Sequence, residues 1–431
     1  MPDRLTPPAI TDFTSLTLPT FTDTRLHGDI QLYILDSGEE PVSRLTLLWP
    51  VGQADVDNPA PFMLLTYMLS EGCEGLSGKE VSDILESNGA WLKVTPYPHA
   101  LLVTLHFLND TADKVIPLLG KIITTPTFPA ETLESIKKKC AAEKEVLARR
   151  TAYRANIIAR QALFGNDHPQ ATDITSEMIN NISRDDMVKV YSSAVLTNRP
   201  IIFLSGKIEQ SIIESVKGLA SQIASYETTA HQVRRRLVTP LAPTDIVEVY
   251  EEIPGSLQTG IIYQIPTINP DHPDYEALRF AVVTLGGYFG SRLMSNIRED
   301  KGYTYGIRAA MVPEPELTAI SISCECDNAY TPAVIGEIKK EIDRLATELI
   351  SSEEMEIVRN IILSGLAGVL DSPFYISNFR EQIIAGSLPP ETYARRFAEA
   401  RKMTPQRIQQ VAAKYLRDVP AVVALAGTKP G

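Results

Sequence analysis

Seventeen residues from Gly290 to Gly306, G-S-R-L-M-S-N-I-R-E-D-K-G-Y-T-Y-G, hold the side chains best suited to chemistry. Arg298 offers a planar guanidinium fork and Tyr305 a phenol. Such a pair suits a carbonyl oxygen or a developing oxyanion. Leu293, Met294 and Ile297 give Ser291 to Asp300 the apolar stripe of a helix. Gly302 is placed to end it, because glycine takes the left-handed C-cap conformation without penalty. The following Y-T-Y-G-I reads as an extended strand whose alternation puts Tyr303 and Tyr305 on one face. A helix–turn–strand return then carries Arg298 and Tyr305 to one edge. Gly286, Gly287 and Gly290 indicate close backbone approach, and the strand–G-x-G-x-x-G–helix arrangement of a phosphate loop is absent. The local alternative is an Arg298 paired with Glu299 or Asp300 and a Tyr305 that simply packs.

The elements that must position these residues occur twice. I-S-R-D-D-M-V-K-V-Y-S-S-A-V-L and P-I-I-F-L-S-G, ending at Gly206, match M-T-P-Q-R-I-Q-Q-V-A-A-K-Y-L and A-V-V-A-L-A-G, ending at Gly427. Ser183 and Thr404 are good N-caps. Met187, Val190, Val195, Ile202 and Leu204 recur as Ile408, Val411, Leu416, Val423 and Leu425, all at an offset of 221 residues. P-A-E-T-L-E-S-I-K and S-S-E-E-M-E-I-V-R repeat at an offset of 222, with Leu133 and Ile136 answering Met355 and Val358. Two units at nearly one offset point to a tandem duplication. Each half opens with a central strand, L-T-L-L-W-P-V near Leu45 and T-G-I-I-Y-Q-I-P near Ile261, and then adds helices and hairpin-like strands. The fold class is α+β, a duplicated mixed αβ domain whose two halves form a clam-like arrangement. The expected boundaries are 1–224, a linker at 225–244 that is polar, then basic, then proline-bearing, and 245–431.

The chain has 431 residues, 44% of them apolar and 22% charged, which is ample for a core without disulfides or metals. Its formal net charge of −12 argues against long-range attraction to nucleic acid. The one dense basic run, Arg234-Arg235-Arg236, reads as solvated linker charge. Four cysteines are too few for a disulfide scaffold of this length. Cys324 and Cys326 lie on one face of an expected strand and read as packed thiols. No apolar run is long enough to span a bilayer, and M-P-D-R-L-T-P-P-A-I lacks the apolar core of a signal peptide. The expectation is a soluble protein, cytoplasmic or periplasmic.

This pattern resembles the insulinase/pitrilysin family of zinc peptidases, in particular its short bacterial branch with two homologous domains per chain. S-R-L-M-S-N-I-R-E-D-K-G-Y-T-Y-G is close to the family's second-domain signature, and the resemblance covers essentially the whole chain. It implies a first-domain motif H-x-x-E-H, two histidines on zinc and a glutamate that activates water, plus a distal glutamate about 76 residues on. Here the matching helix is F-M-L-L-T-Y-M-L-S-E-G. Met63 stands for the first histidine, Thr66 for the base and Tyr67 for the second histidine, while Glu143 falls 76 residues after Tyr67. A thioether, a hydroxyl and a phenol with a pKa of about 10 cannot replace that donor set. One carboxylate does not make a three-ligand zinc site with an open water position. The six histidines, at 27, 99, 106, 168, 231 and 272, show no i,i+4 pair. His99 and His106 fall on opposite faces if their strand is regular.

The resemblance implies no metal or cofactor in this chain, which is no enzyme alone. It implies zinc in a homologous partner bearing H-x-x-E-H. In two-chain members of the family an arginine and a tyrosine reach across to the partner's zinc site. Arg298 is then expected to hold a backbone carbonyl of an unstructured peptide, and Tyr305 to steady the tetrahedral oxyanion, with no nucleic acid and no membrane span involved. Two other roles stay open: a structural or assembly subunit, and a stand-alone peptide-binding protein without hydrolysis.

Overall fold

The computed structural model describes residues 14–226 and 233–429. The first half contributes strands β1 (Thr22–Arg25), β2 (Gln31–Asp36), β3 (Val42–Trp49), a short hairpin of β4 (Gly72–Cys73) and β5 (Leu76–Ser77), β6 (Trp91–Pro96), β7 (Leu101–Leu108) and β8 (Ile201–Gly206). Its helices are α1 (Pro59–Met68), α2 (Gly78–Ser87), α3 (Ala112–Thr124), α4 (Ala130–Leu147), α5 (Thr151–Phe164), α6 (Ser176–Asn180), α7 (Arg184–Tyr191) and α8 (Gln210–Ala224). The second half contributes β9 (Ile246–Glu252), β10 (Gln258–Thr267), β11 (Thr304–Val312), β12 (Thr318–Asp327) and β13 (Ala421–Gly427). Its helices are α9 (Tyr275–Gly286), α10 (Thr331–Thr347), α11 (Ser352–Gly368), α12 (Pro373–Ala385), α13 (Thr392–Lys402) and α14 (Pro405–Tyr415).

The two main sheets have the same topology. The first runs β1-β2-β8-β3-β7-β6 and the second β9-β13-β10-β12-β11, so that, apart from β1, each strand has a counterpart. In both, the closing strand inserts between two earlier strands, β2 and β3 or β9 and β10, and pairs with the first of them in parallel: Leu32 opposite Ile202, and Val249 opposite Ala424. The repeated apolar residues fall on equivalent inner faces. Met187, Ile408, Ile202, Val358 and Val411 are all buried, which is what the shared periodicity requires. Cys324 and Cys326 share the inner face of β12 in the second core.

Sequence order does not dictate which helix covers which sheet. The helices of each half pack on one face of that half's own sheet, but the opposite face is covered by a helix from the other half. Ala155, Ala159 and Leu163 of α5 pack against Ile262, Ala424 and Ala426 of the second sheet. There the approach is so close that a Cβ on Gly260 would lie 2.5 Å from the backbone of Thr151. Reciprocally, α12 crosses to the first sheet, where Ile384 and Ala385 pack against Leu48, Leu102 and Phe203. Arg44 on β3 meets Glu381 on α12 at 2.6 Å, with side chains 4% and 1% exposed.

The connecting segment is held across this seam. Residues 227–232 of the expected linker lie outside the described residues. From Val233 to Asp245 the chain forms no helix or strand, yet it is fixed. Arg235 is not the solvated charge expected of a linker. It donates to the carbonyl oxygens of His99 and Ala385 and to the Ser387 hydroxyl. The backbone N–H of Arg236 donates to Asp55 at 2.6 Å.

His99 does not lie on a strand with His106 but in the turn before β7. It is 2% exposed, with Nδ1 2.8 Å from Asp55 and Nε2 3.1 Å from Glu316 of the other lobe. Burial alone pushes its pKa down. Hydrogen bonds to Asp55 and Glu316, and their charges, outweigh burial and lift it to about 9. His106, stacked on Trp91 at 3.8 Å, is pushed down to about 4 by burial and by the Arg44 and Lys93 charges. Because the folded pKa of His99 exceeds its unfolded value, its contribution is complete below about pH 6.5 and disappears as pH rises through about 9. That contribution is roughly 3 kcal/mol. Urea denaturation between pH 7 and 10 should show this alkaline loss in the native chain and not in His99→Gln. Parallel pH profiles for the two proteins would remove the assignment.

Candidate substrate-contact site

The Gly290–Gly306 segment is wound more widely than its periodicity indicates. The helix expected over Ser291 to Asp300 is mainly a π-helix, Met294–Asp300. Such wide turns often occur at functional sites. The segment is tied down at both flanks. Arg292 makes a two-pronged bond to Glu354 on α11, at 2.8 and 3.0 Å, and Asn296 donates to Glu337 and Glu341 on α10, at 2.8 and 2.7 Å. Gly302 ends it with φ +66°, its N–H on the Arg298 carbonyl at 3.2 Å and the Tyr303 N–H on that of Ile297 at 3.0 Å. Behind it α9 meets β11 so closely that a Cβ on Gly286 would lie 2.7 Å from the Ala309 nitrogen.

β11 starts with a bulge, and its register with β12 shifts between Thr304 and Ile307. The Thr304 hydroxyl holds the bulge, donating to the Glu325 carbonyl at 2.6 Å and accepting from the Gly306 N–H at 3.1 Å. The irregularity overturns the expected common face for the two tyrosines. Tyr303 is half-buried and stacks on Tyr330 at 4.6 Å, whereas Tyr305 is 93% exposed at the start of an edge strand. Bulges often re-aim a side chain in this way.

Arg298 does not pair with Glu299 or Asp300. Its guanidinium lies 4.5 Å from the centroid of the Phe289 ring, which is itself 65% exposed. A cation–π contact orients the fork while leaving its N–H groups available for a ligand. Phe289 was not singled out from sequence. The available signal was an aromatic residue flanked by glycines, G-G-Y-F-G, where packing alone gives no reason for an exposed ring. The helical segment carrying Arg298 packs against β11, which carries Tyr305.

The helix matching the zinc motif is α1, capped by the Asn58 side chain on the Ala60 N–H at 3.1 Å. Phe62, Leu64, Leu65 and Met68 are fully buried. Met63 and Thr66 are half-buried and Tyr67 is 36% exposed, so this face does not pack as fully as a purely buried helix would. Glu143, on α4, is exposed. Tyr67 and Glu143 remain neighbours. The Tyr67 phenol is held above its usual range by burial, then by the charges of Cys140 and Glu143. It stays protonated at neutral pH, which makes it a poor metal donor. Among the described residues, no group of three or more His, Cys, Asp or Glu side chains converges in a way that could hold a metal ion.

Residues 181–362 match the family model of the peptidase M16 inactive domain. That match covers less than half of the chain. Among curated relatives the chain is 26% identical over 250 residues to the "Non-peptidase homolog YmxG" of Helicobacter pylori. That match covers 57% of this chain and 56% of the relative, so the alignment spans little more than half of either protein. Among solved structures, the M16 inactive domain from Pseudomonas fluorescens superposes with a TM-score of 0.84 at 22% identity, over 95% of this chain and 99% of that one. A protease from Helicobacter pylori does so with a TM-score of 0.84 at 14% identity, over 96% and 100%. These M16 likenesses fit the two-lobed α+β architecture. Met63, Thr66 and Tyr67 carry neither the imidazoles nor the carboxylate that the resemblance called for at those positions. Among the described residues no single helix is long and apolar enough to cross a membrane.

Proposed function

We propose that this chain is the substrate-binding, non-hydrolytic subunit of a two-chain zinc peptidase. Arg298 holds a backbone carbonyl of the peptide, and Tyr305 donates to the oxyanion formed at a partner's zinc. The partner is a homologous chain bearing H-x-x-E-H, which supplies the metal and the base glutamate. The observation that carries this reading is the asymmetry between the two sites. The α1 face lacks metal donors, while the half-buried Arg298 and the exposed Tyr305 have no side-chain polar partner among the described residues.

The presentation favours contact with another molecule over packing. A phenol 93% exposed on a bulge contributes little to its own fold. An edge strand also leaves backbone groups free to pair with an extended peptide.

The test is reconstitution. The chain, a zinc-bearing M16 homologue from the same source, and their mixture are each assayed on an unstructured peptide, with bound zinc measured. Peptide turnover confined to the mixture, with zinc confined to the partner, is the expected result. Full activity of the partner alone, or stoichiometric zinc and cleavage in this chain alone, would overturn the reading.

A further inference from the structure

Beside α1, Met63 forms part of the wall of a cavity of about 310 Å³ between α1, α4 and α5. Two cations line it, Lys144 and Arg160, and no carboxylate does. The neighbouring acids are engaged elsewhere. Asp173 accepts from Tyr153 at 2.6 Å and pairs with Arg154 at 2.7 Å; Glu316 holds His99. Glu314 accepts from Gln170 at 3.3 Å.

Neither cation is saturated. Arg160 donates from Nε to the Gln170 carbonyl and from one terminal nitrogen to the Gln170 side chain, both at 2.5 Å. Its other terminal nitrogen has no hydrogen-bond partner among the described residues, and no carboxylate lies within ion-pair distance. Lys144 has one polar partner, the Tyr153 hydroxyl at 3.0 Å, which leaves two further N–H donors. The charges of Glu314 and Glu316 act on Arg160, and that of Asp173 on Lys144, without direct contact; a directly bonded anion between the two partly desolvated cations would offset more of their burial cost. The rest of the wall is partly apolar, with Met63, Ile157 and Ile174. The size is at the small end of ligand pockets.

We infer that this cavity is a carboxylate-binding site in which Arg160 and Lys144 grip the anion and Met63, Ile157 and Ile174 receive the apolar group that bears it. The demand for a carboxylate stands on the cavity alone. That the carboxylate belongs to a peptide rests on the function proposed above. Its source is either a free C-terminus after an apolar residue or an acidic side chain.

The isolated chain, without any partner, is labelled with 13C-methyl methionine, and the Met63 signal is assigned through Met63→Leu. Three probes are titrated: acetyl-Ala-Ala-Leu with a free C-terminus, its C-terminal amide, and acetyl-Ala-Glu-Leu-amide. The expected result is a saturable shift of the Met63 signal with the first or third probe, identifying the source, and none with the neutral amide. Arg160→Gln and Lys144→Gln should each weaken that binding by about tenfold. The Lys144 ammonium makes a single hydrogen bond, to the Tyr153 hydroxyl, so Lys144→Gln carries the test if Arg160→Gln disturbs the Gln170 loop. A response to the neutral amide equal to that of the acids, no response to any probe, or unchanged affinity in Lys144→Gln overturns the inference. Because hydrolysis is not read, failure here leaves the two-chain peptidase reading standing.

Discussion

Replacing Tyr305 with phenylalanine is expected to lower kcat of the reconstituted two-chain peptidase by about 10²- to 10³-fold, the usual cost of one oxyanion donor. KM should change little, because the phenol acts on charge that develops only in the transition state. Arg298→Ala is expected to raise KM as well, since a carbonyl grip is already made with bound substrate. The structure makes this a clean experiment. Tyr305 is 93% exposed, and the bulge that presents it is held by the Thr304 hydroxyl rather than by the tyrosine. Thermal unfolding of Tyr305→Phe should therefore match that of the native chain to within about 0.5 kcal/mol. Unchanged kcat in a complex that assembles normally would remove Tyr305 from the proposed role.

The second large effect concerns stability. Arg44→Met is expected to destabilise the chain by roughly 3–5 kcal/mol, because it strands the Glu381 carboxylate in a site where its side chain is 1% exposed. In the native protein, burial pushes the Glu381 carboxyl up and the Arg44 guanidinium holds it back. In the single variant only the Ser377 and Thr46 hydroxyls remain to offset the burial cost. The deficit should shrink as pH falls and Glu381 takes a proton. In Arg44→Met/Glu381→Met most of the loss should be recovered, since a buried pair exchanged for apolar side chains of similar volume is often neutral or stabilising. Urea denaturation of the three proteins measures this. A single-variant loss below about 1 kcal/mol would mean that the pair is not a closed, dry contact. The outcome also bears on cooperativity. Glu381 belongs to α12, a second-half helix seated on the first-half sheet, so the two lobes are expected to unfold in one transition.

Much of the architecture was legible before any coordinates. The recurrence of Met187, Val190, Ile202 and Leu204 as Ile408, Val411, Val423 and Leu425 implied two equivalent units, and the matching strand orders bear this out. Gly302 was legible as a helix stop because a left-handed residue after an apolar stripe has few other meanings, and its φ is +66°. The misreadings share a cause. Alternation placed Tyr303 and Tyr305 together because a bulge has no strong local signal and depends on the Thr304 hydroxyl finding a carbonyl on β12. Arg235 read as solvent charge because its partners, the His99 and Ala385 carbonyls, are 136 and 150 residues away in sequence.

The sequence by itself determined what chemistry is missing. Donor identity is a property of the side chain, and Met63, Thr66 and Tyr67 cannot act as two imidazoles and a carboxylate in any fold. It also determined the duplication, because apolar periodicity is local and survives divergence. Only the tertiary structure decided which sheet each helix covers. Periodicity marks the apolar face of α5 or α12 but not the partner that buries it, and both helices settle on the other half's sheet. Only the tertiary structure, too, decided that Arg298 rests on Phe289, that His99 is a buried cation between the lobes, and that Lys144 and Arg160 share a cavity. Charge state and exposure arise from groups brought together over long stretches of chain, and no spacing along the sequence records them.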